Sequence, residues 1–289
     1  MSTVSAIVRE VRPRQWTKNL IVFAALIFSG NAGDAGRVGR AALAFVAFCL
    51  LSGAVYLVND IADANLDRLH PKKRLRPIAA GELGTRPAAA AAVAAAAAGL
   101  ALAFFLGTGT LAAAAAFLAL MLVYTFVLKH MVILDAMAIA AGFVLRVVAG
   151  AEAIAVPISP WIILCTALIA LFLGLVKRRY ELVTIEDPVT HRPILEHYSE
   201  EFLDTMIATL TAATIVAYSL YTFFVHDSGA PWMMLTIPFV LYGMFRYLYL
   251  VHLKGLGGNP EEILVSDVPL IVDIVGFVVV ALVVLQVQG

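Results

Sequence analysis

The residues whose spacing best suits chemistry are the aspartates of Asn59-Asp60-Ile61-Ala62-Asp63-Ala64-Asn65-Leu66-Asp67. At about 100° per residue on a helix, Asp60, Asp63 and Asp67 fall within about 60° of one another, stacked on one face over two turns. Like charges stacked in this way destabilise a helix unless a cation sits among them. Hard oxygen donors on one face suit Mg²⁺, which keeps several waters and takes its remaining ligands from phosphate oxygens. The competing reading is a solvated acidic cluster in a loop. Against it, Asp60 directly follows an apolar run and should lie at a membrane boundary, where bare charge is expensive.

Basic residues follow at once in His70-Pro71-Lys72-Lys73-Arg74-Leu75-Arg76-Pro77-Ile78-Ala79-Ala80-Gly81. Such donors can reach the phosphate oxygens that a metal leaves free. Lys72 and Lys73 also read as plain membrane-side anchors, whereas Arg76, set before Pro77 and a Gly81 turn, reads as a phosphate ligand. A second basic run, Lys177-Arg178-Arg179-Tyr180-Glu181-Leu182, offers cations and one carboxylate, which suits another phosphate group rather than another metal. Arg146 lies inside an apolar segment, eleven residues (about three helical turns) after Asp135. It reads either as a buried ion pair with Asp135 or as a phosphate ligand at an internal cavity. Asp267, at the start of the last apolar segment, reads equally as a helix N-terminal carboxylate and as a site residue.

The elements that must position these groups are membrane helices. Apolar residues make up 62% of the 289 and charged residues 14%; soluble domains run near half and a quarter. Nine apolar segments stand out, at 17–30, 39–58, 86–106, 109–128, 132–154, 159–176, 203–225, 231–251 and 268–287. Most have the roughly 20 residues needed to cross the hydrocarbon as helix, and strand alternation is absent. With the N-terminus inside, 17 of the 20 Lys and Arg fall on the inner side, so the positive-inside rule sets the N-terminus in the cytoplasm and the C-terminus outside. The expectation is an all-α integral membrane protein of the cytoplasmic (plasma) membrane. It forms one domain over 1–289, and inner loops 59–85 and 177–202 cap the active site. The polar inner loop of Glu186-Asp187, His191-Arg192 and Glu196–Asp204 is expected to include a short amphipathic helix and to act as a lid that keeps water from the reaction. Cys49 and Cys165 lie in apolar segments and suggest neither disulfides nor a thiolate site.

The pattern N-D-x-x-D-x-x-x-D followed by R-P-I-x-x-G resembles the UbiA superfamily of intramembrane prenyltransferases. The resemblance implies a nine-helix bundle with a Mg²⁺–diphosphate cavity on the cytoplasmic side, and carries Asn59, Asp60, Asp63, Asp67 and Arg76 onto that site. Ordinary members have a second aspartate-rich motif where this chain has Lys177-Arg178-Arg179-Tyr180-Glu181. That departure, with Arg12-Pro13-Arg14-Gln15-Trp16-Thr17-Lys18-Asn19, Tyr124, Lys129 and the Asp135-to-Arg146 segment, resembles the branch that attaches phosphoribose to polyprenyl phosphates. The implied substrates are phosphoribosyl diphosphate and a polyprenyl (decaprenyl) phosphate, with a product that feeds cell-wall arabinan precursors. Lys18, Arg76 and Arg14 would neutralise the diphosphate. Lys177, Arg178 and Arg179 would hold the ribose 5-phosphate or the lipid phosphate, with Tyr124, Lys129, Asp135, Arg146 and Glu181 completing the substrate site. Two alternatives stand beside this: transfer of an isoprenyl group to an aromatic or other acceptor, and a lipid transporter without catalysis. The lipid bilayer is the expected environment and nucleic acid is not an expected partner. No seam in the sequence decides whether copies form a homo-oligomer.

Overall fold

A backbone inside hydrocarbon must pair its own N–H and C=O groups, and these Ala-, Leu- and Val-rich runs do so as helices. A computed structural model describes residues 2–71, 73–185, 192–224, 232–258, 263–264 and 266–288, and among them there is no strand. The α-helices are α1 (Thr3–Glu10), α2 (Ala24–Phe28), α3 (Ala35–Ala62), α4 (Ala64–Leu69), α5 (Thr85–Leu106) and α6 (Thr108–Phe126). They continue with α7 (Leu134–Ala153), α8 (Pro160–Thr184), α9 (Glu200–Phe224), α10 (Ile237–Lys254) and α11 (Val268–Gln288).

Seven described segments are long and apolar enough to cross a membrane: α3, α5 to α9, and Trp232–Lys254, which contains α10. The chain is therefore an integral membrane protein. Of the nine expected crossings, α11 is a shorter apolar helix in its described part. The first is not a straight helix: residues Pro13–Phe23 form a 3₁₀ segment that runs into α2. Pro13 fixes its own φ, Arg12 before it is left-handed (φ 53°), and Lys18 and Asn19 interrupt the apolar run.

Local signals set the helix ends. Asp34 caps α3 by accepting from the Gly36 amide at 2.8 Å, and Ser159 caps α8 ahead of Pro160. Gly255, at φ 63°, ends α10 in the left-handed turn that glycine tolerates best. Arg40 satisfies the C-terminal carbonyls of two helices at once, donating to Ala153 at 2.5 Å and to Leu106.

Close packing rests on small residues, as expected where lipid supplies no hydrophobic contrast. A side chain at Gly99 of α5 would come within 2.8 Å of Leu51 on α3, and one at Gly150 of α7 would overlap the Val22 carbonyl of the 3₁₀ segment. One core joins α3, α6 and α7 through Phe48, Leu51 and Phe117. Another joins α8, α9 and α10 through Phe172, Leu175, Leu203, Ile207 and Tyr247. Large apolar side chains such as Phe104, Phe105, Phe245 and Val272 remain exposed, a surface that suits lipid.

Candidate active site

A cavity of about 1870 Å³ reaches from a charged end to an apolar end. The charged end holds Arg14, Lys18, Asn59, Asp63, Lys73, Arg76, Tyr124, Lys129, Lys177, Arg178, Glu181 and Arg192. Apolar and aromatic lining comes from Phe143, Val147, Trp161, Ile162, Ile169, Leu173, Tyr218 and Phe277, and Arg37 and the expected Arg146 also line the cavity.

On the acidic side of the charged end, Asp60 and Asp67 are both buried, at 1% and 3% exposure. They converge on one nitrogen: Arg76 Nη1 donates to Asp60 Oδ1 at 2.9 Å and to Asp67 Oδ2 at 2.5 Å. Arg12, its guanidinium 4.8 Å over the Tyr56 ring, pairs with the other Asp60 oxygen. Asp63 does not join the stack. It accepts from Lys129 Nζ at 2.5 Å and from Asn59 Nδ2 at 3.1 Å. The expected continuous face over two turns is corrected on this point. The α3 helix stops at Ala62 and α4 starts at Ala64, with Asp63 in the joint. Breaking the helix there relieves the repulsion that a straight acidic stack would carry. Among the described residues, no three His, Cys, Asp or Glu side chains converge on one point. The donor set nonetheless fits a hard divalent cation: two buried carboxylates already focus on a single cationic atom, and a third faces the cavity alongside.

Burial raises the Asp67 carboxyl against the pull of Arg76 and Lys73, and burial lowers the Lys73 ammonium. Glu10, at the end of α1, is a neighbour that sequence reasoning missed. Burial, and then the adjacent Asp60, push it up to about 7, and its Oε1 has no hydrogen-bond partner. Nothing in the spacing of α1 marked Glu10, because its proximity to Asp60 is purely tertiary.

On the basic side the centre is Asp135, fully buried at the start of α7. Arg178 Nε donates to it at 2.8 Å and Tyr198 Oη at 3.1 Å, with Arg192 Nη2 at 3.4 Å. Arg178 also reaches Glu181 at 3.2 Å. Two expectations are corrected here. Arg146 does not pair with Asp135; it donates to Asn19 Oδ1 at 2.7 Å, to the Gly142 carbonyl at 2.9 Å and to Ser52 Oγ at 3.2 Å. Its guanidinium lies 4.5 Å from the Phe117 ring centre, so neutral dipoles and aromatic faces solvate it. Arg179 turns away from the cavity to Asp204 and Glu200 of α9, because the roughly 100° step along α8 that brings Arg178 inward carries its neighbour outward. Asp267 accepts from the Leu270 amide at 3.0 Å and from both donor arms of Arg246 at 2.8 and 3.1 Å, the helix-start role of its two readings. Of the expected lid, Glu186, Asp187 and His191 lie outside the described residues, as does Lys72.

The fold defines the class. It superposes on a UbiA homologue from Archaeoglobus fulgidus bound to DMAPP and Mg²⁺ with a TM-score of 0.77 at 18% identity, over 97% of this chain and 99% of that one. The UbiA prenyltransferase family profile matches residues 20–258, and the chain belongs to that family. Within it, the chain is 35% identical over 279 residues to the decaprenyl-phosphate phosphoribosyltransferase of Mycolicibacterium smegmatis, covering 91% of this chain and 87% of the relative. It is likewise 35% identical over 270 residues to the enzyme of that name from Mycobacterium tuberculosis, covering 91% and 89%.

Proposed function

We propose that this protein transfers 5-phosphoribose from phosphoribosyl diphosphate to a polyprenyl phosphate, decaprenyl phosphate or a close analogue, and releases diphosphate. The observation that carries the reading is one cavity bordered by two ionic clusters, an aspartate cluster held by Arg12, Arg76 and Lys129 and a second one rich in cations. One focuses carboxylates and the other carries Lys177, Arg178 and Arg192. A donor and an acceptor that both bear phosphate need two anion sites, and the relatives' name fits such a pair.

In the transfer, a lipid phosphate oxygen bonds to the ribose C1 as the C1–O bond to diphosphate breaks. The nucleophile is already an anion, so no strong general base is required, and catalysis falls to positioning and charge stabilisation. Mg²⁺ held by Asp60, Asp63 and Asp67 would neutralise the diphosphate. Arg76 would turn from the carboxylates to the diphosphate oxygens, with Arg14 and Lys18 beside it. Arg178, fixed by Asp135 and Glu181, would orient the second phosphate wall, with Lys177, Tyr124 and Lys129 along it. The apolar end of the cavity would take the polyprenyl tail. The basic residues then face the cytoplasm, with the N-terminus inside, and Pro13–Phe28 and α11 complete nine membrane passages.

The test is turnover by purified protein in detergent with Mg²⁺, labelled phosphoribosyl diphosphate and polyprenyl phosphate. Labelled lipid that disappears with EDTA supports the reading. No labelled lipid, together with product from an isoprenyl diphosphate and an aromatic acid, refutes it in favour of ordinary prenyl transfer.

A further inference from the structure

Arg192 stands outside the basic run of α8, yet it enters the same wall of the cavity. The sequence after it explains how. Pro193 disfavours the helical region for the residue before it, and Arg192 is extended at φ −153° and ψ 93°. The strap that follows is pinned at several points. Ile194 and Leu195 are buried in the core with Leu203 and Ile207. Tyr198 Oη accepts from the Ile133 amide at 2.7 Å and donates to Asp135 at 3.1 Å. The guanidinium at the head of this strap therefore has a fixed origin.

Its present bonds leave it under-used. Arg192 reaches Tyr124 Oη at 3.2 Å, Glu181 at 3.3 Å and Asp135 at 3.4 Å, all longer than the roughly 2.7–2.9 Å of a well-formed charge-assisted bond. Its Nε is buried without an acceptor. Both of its carboxylate neighbours are already engaged by Arg178. A fork geometry with a spare, desolvated donor is what a tetrahedral oxyanion would complete.

We propose that Arg192 is a phosphate-binding residue of the basic wall. In this role it holds a phosphomonoester dianion, and the strap 192–198 is the element that positions it. The inference rests on the two-phosphate reading above and adds the ligand that α8 alone does not supply. The dianion is either the ribose 5-phosphate of the donor or the head of the lipid acceptor, which share this chemistry.

The experiment compares full-length wild type, Arg192→Gln and Arg192→Lys in detergent. The first readout is thermal stabilisation by inorganic phosphate with EDTA present, which keeps metal away from the acidic wall. The second is KM for each substrate with Mg²⁺. The expected result is a roughly tenfold to hundredfold weaker phosphate response in Arg192→Gln, with Arg192→Lys between it and wild type. A matching rise in donor KM places the 5-phosphate there; a rise in acceptor KM places the lipid phosphate there. Phosphate stabilisation that is absent in wild type, or unchanged in Arg192→Gln, overturns the proposal. So does a general loss of stability and kcat, alike in Gln and Lys, without a change in phosphate response or KM. If phosphate binding depends on Arg192 but wild type labels no lipid, the transfer reading fails and the anion site stands.

Discussion

The two charged walls of the cavity solve the same problem in opposite ways. At the acidic wall the carboxylates come from one short stretch, Asp60 to Asp67, and their counter-charges arrive from elsewhere: Arg12 before the first membrane segment, Arg76 after α4, Lys129 after α6. At the basic wall the charges are scattered from the outset, with Tyr124 on α6, Asp135 on α7, Arg178 and Glu181 on α8, and Arg192 and Tyr198 on the strap. The innermost pair there, Arg178 with Asp135, is nearly sealed from solvent at 2% and 0% exposure. Arg76, by contrast, is a quarter exposed. The cation that joins the two acidic-wall carboxylates is thus within reach of solvent, while the heart of the basic wall is an ion pair withdrawn from it.

The strongest way to break this contrast is at the acidic wall. Asp60→Ala or Asp67→Ala is expected to lower transfer by roughly three orders of magnitude or more, since it removes the charge-stabilising centre. A labelled-lipid assay that still shows a near-normal rate would end the metal assignment. Next in size is Asp135→Ala, which takes from the buried Arg178 its nearest carboxylate and from Tyr198 its acceptor, and should cost about 3–5 kcal/mol of stability. A thermal melt unchanged from wild type would show that the pair is not structural. Arg146→Lys should be milder, at about 1–3 kcal/mol, because lysine cannot reproduce the fork that reaches Asn19, Ser52 and Gly142 together. The smallest effect belongs to Arg179→Ala. Its partners are partly exposed and face away from the cavity, so the expected stability change is about 1 kcal/mol or less, with transfer within about twofold of wild type. A large rise in KM in that variant would return Arg179 to the site.

What was legible in the sequence divides along the same line. The grouping of Asp60, Asp67 and Arg76 could be seen because it is local, and local spacing translates directly into proximity. The long apolar runs were visible for the same reason, since crossing length is a one-dimensional quantity. The break at Asp63 was not visible, because uninterrupted periodicity reads as one helix and the repulsion that divides it depends on where Lys129 and Arg76 arrive. The expected pairing of Arg146 with Asp135 failed because helical arithmetic counts only partners on the same element. Asn19 and Ser52 come from other segments and solvate the guanidinium first. Arg192 and Tyr198 carried no periodic signal, since they act from a strap whose position is set by core contacts. The first apolar stretch read as a crossing by composition alone, while Pro13, Lys18 and the left-handed Arg12 shape it into a 3₁₀ segment.

That segment gives Gly150 a wider meaning. The stretch Pro13–Phe23 carries Lys18 to the cavity and lies with its Val22 carbonyl directly against the bare α-carbon of α7. One wall of the cavity is thus gauged by a hydrogen atom at a position that does not line it. Drift at residue 150 toward even the smallest side chain would act as a shim. It would widen the chamber and shift Lys18 before any lining residue had changed, so the bore of the active site is inherited through a residue that takes no part in its chemistry.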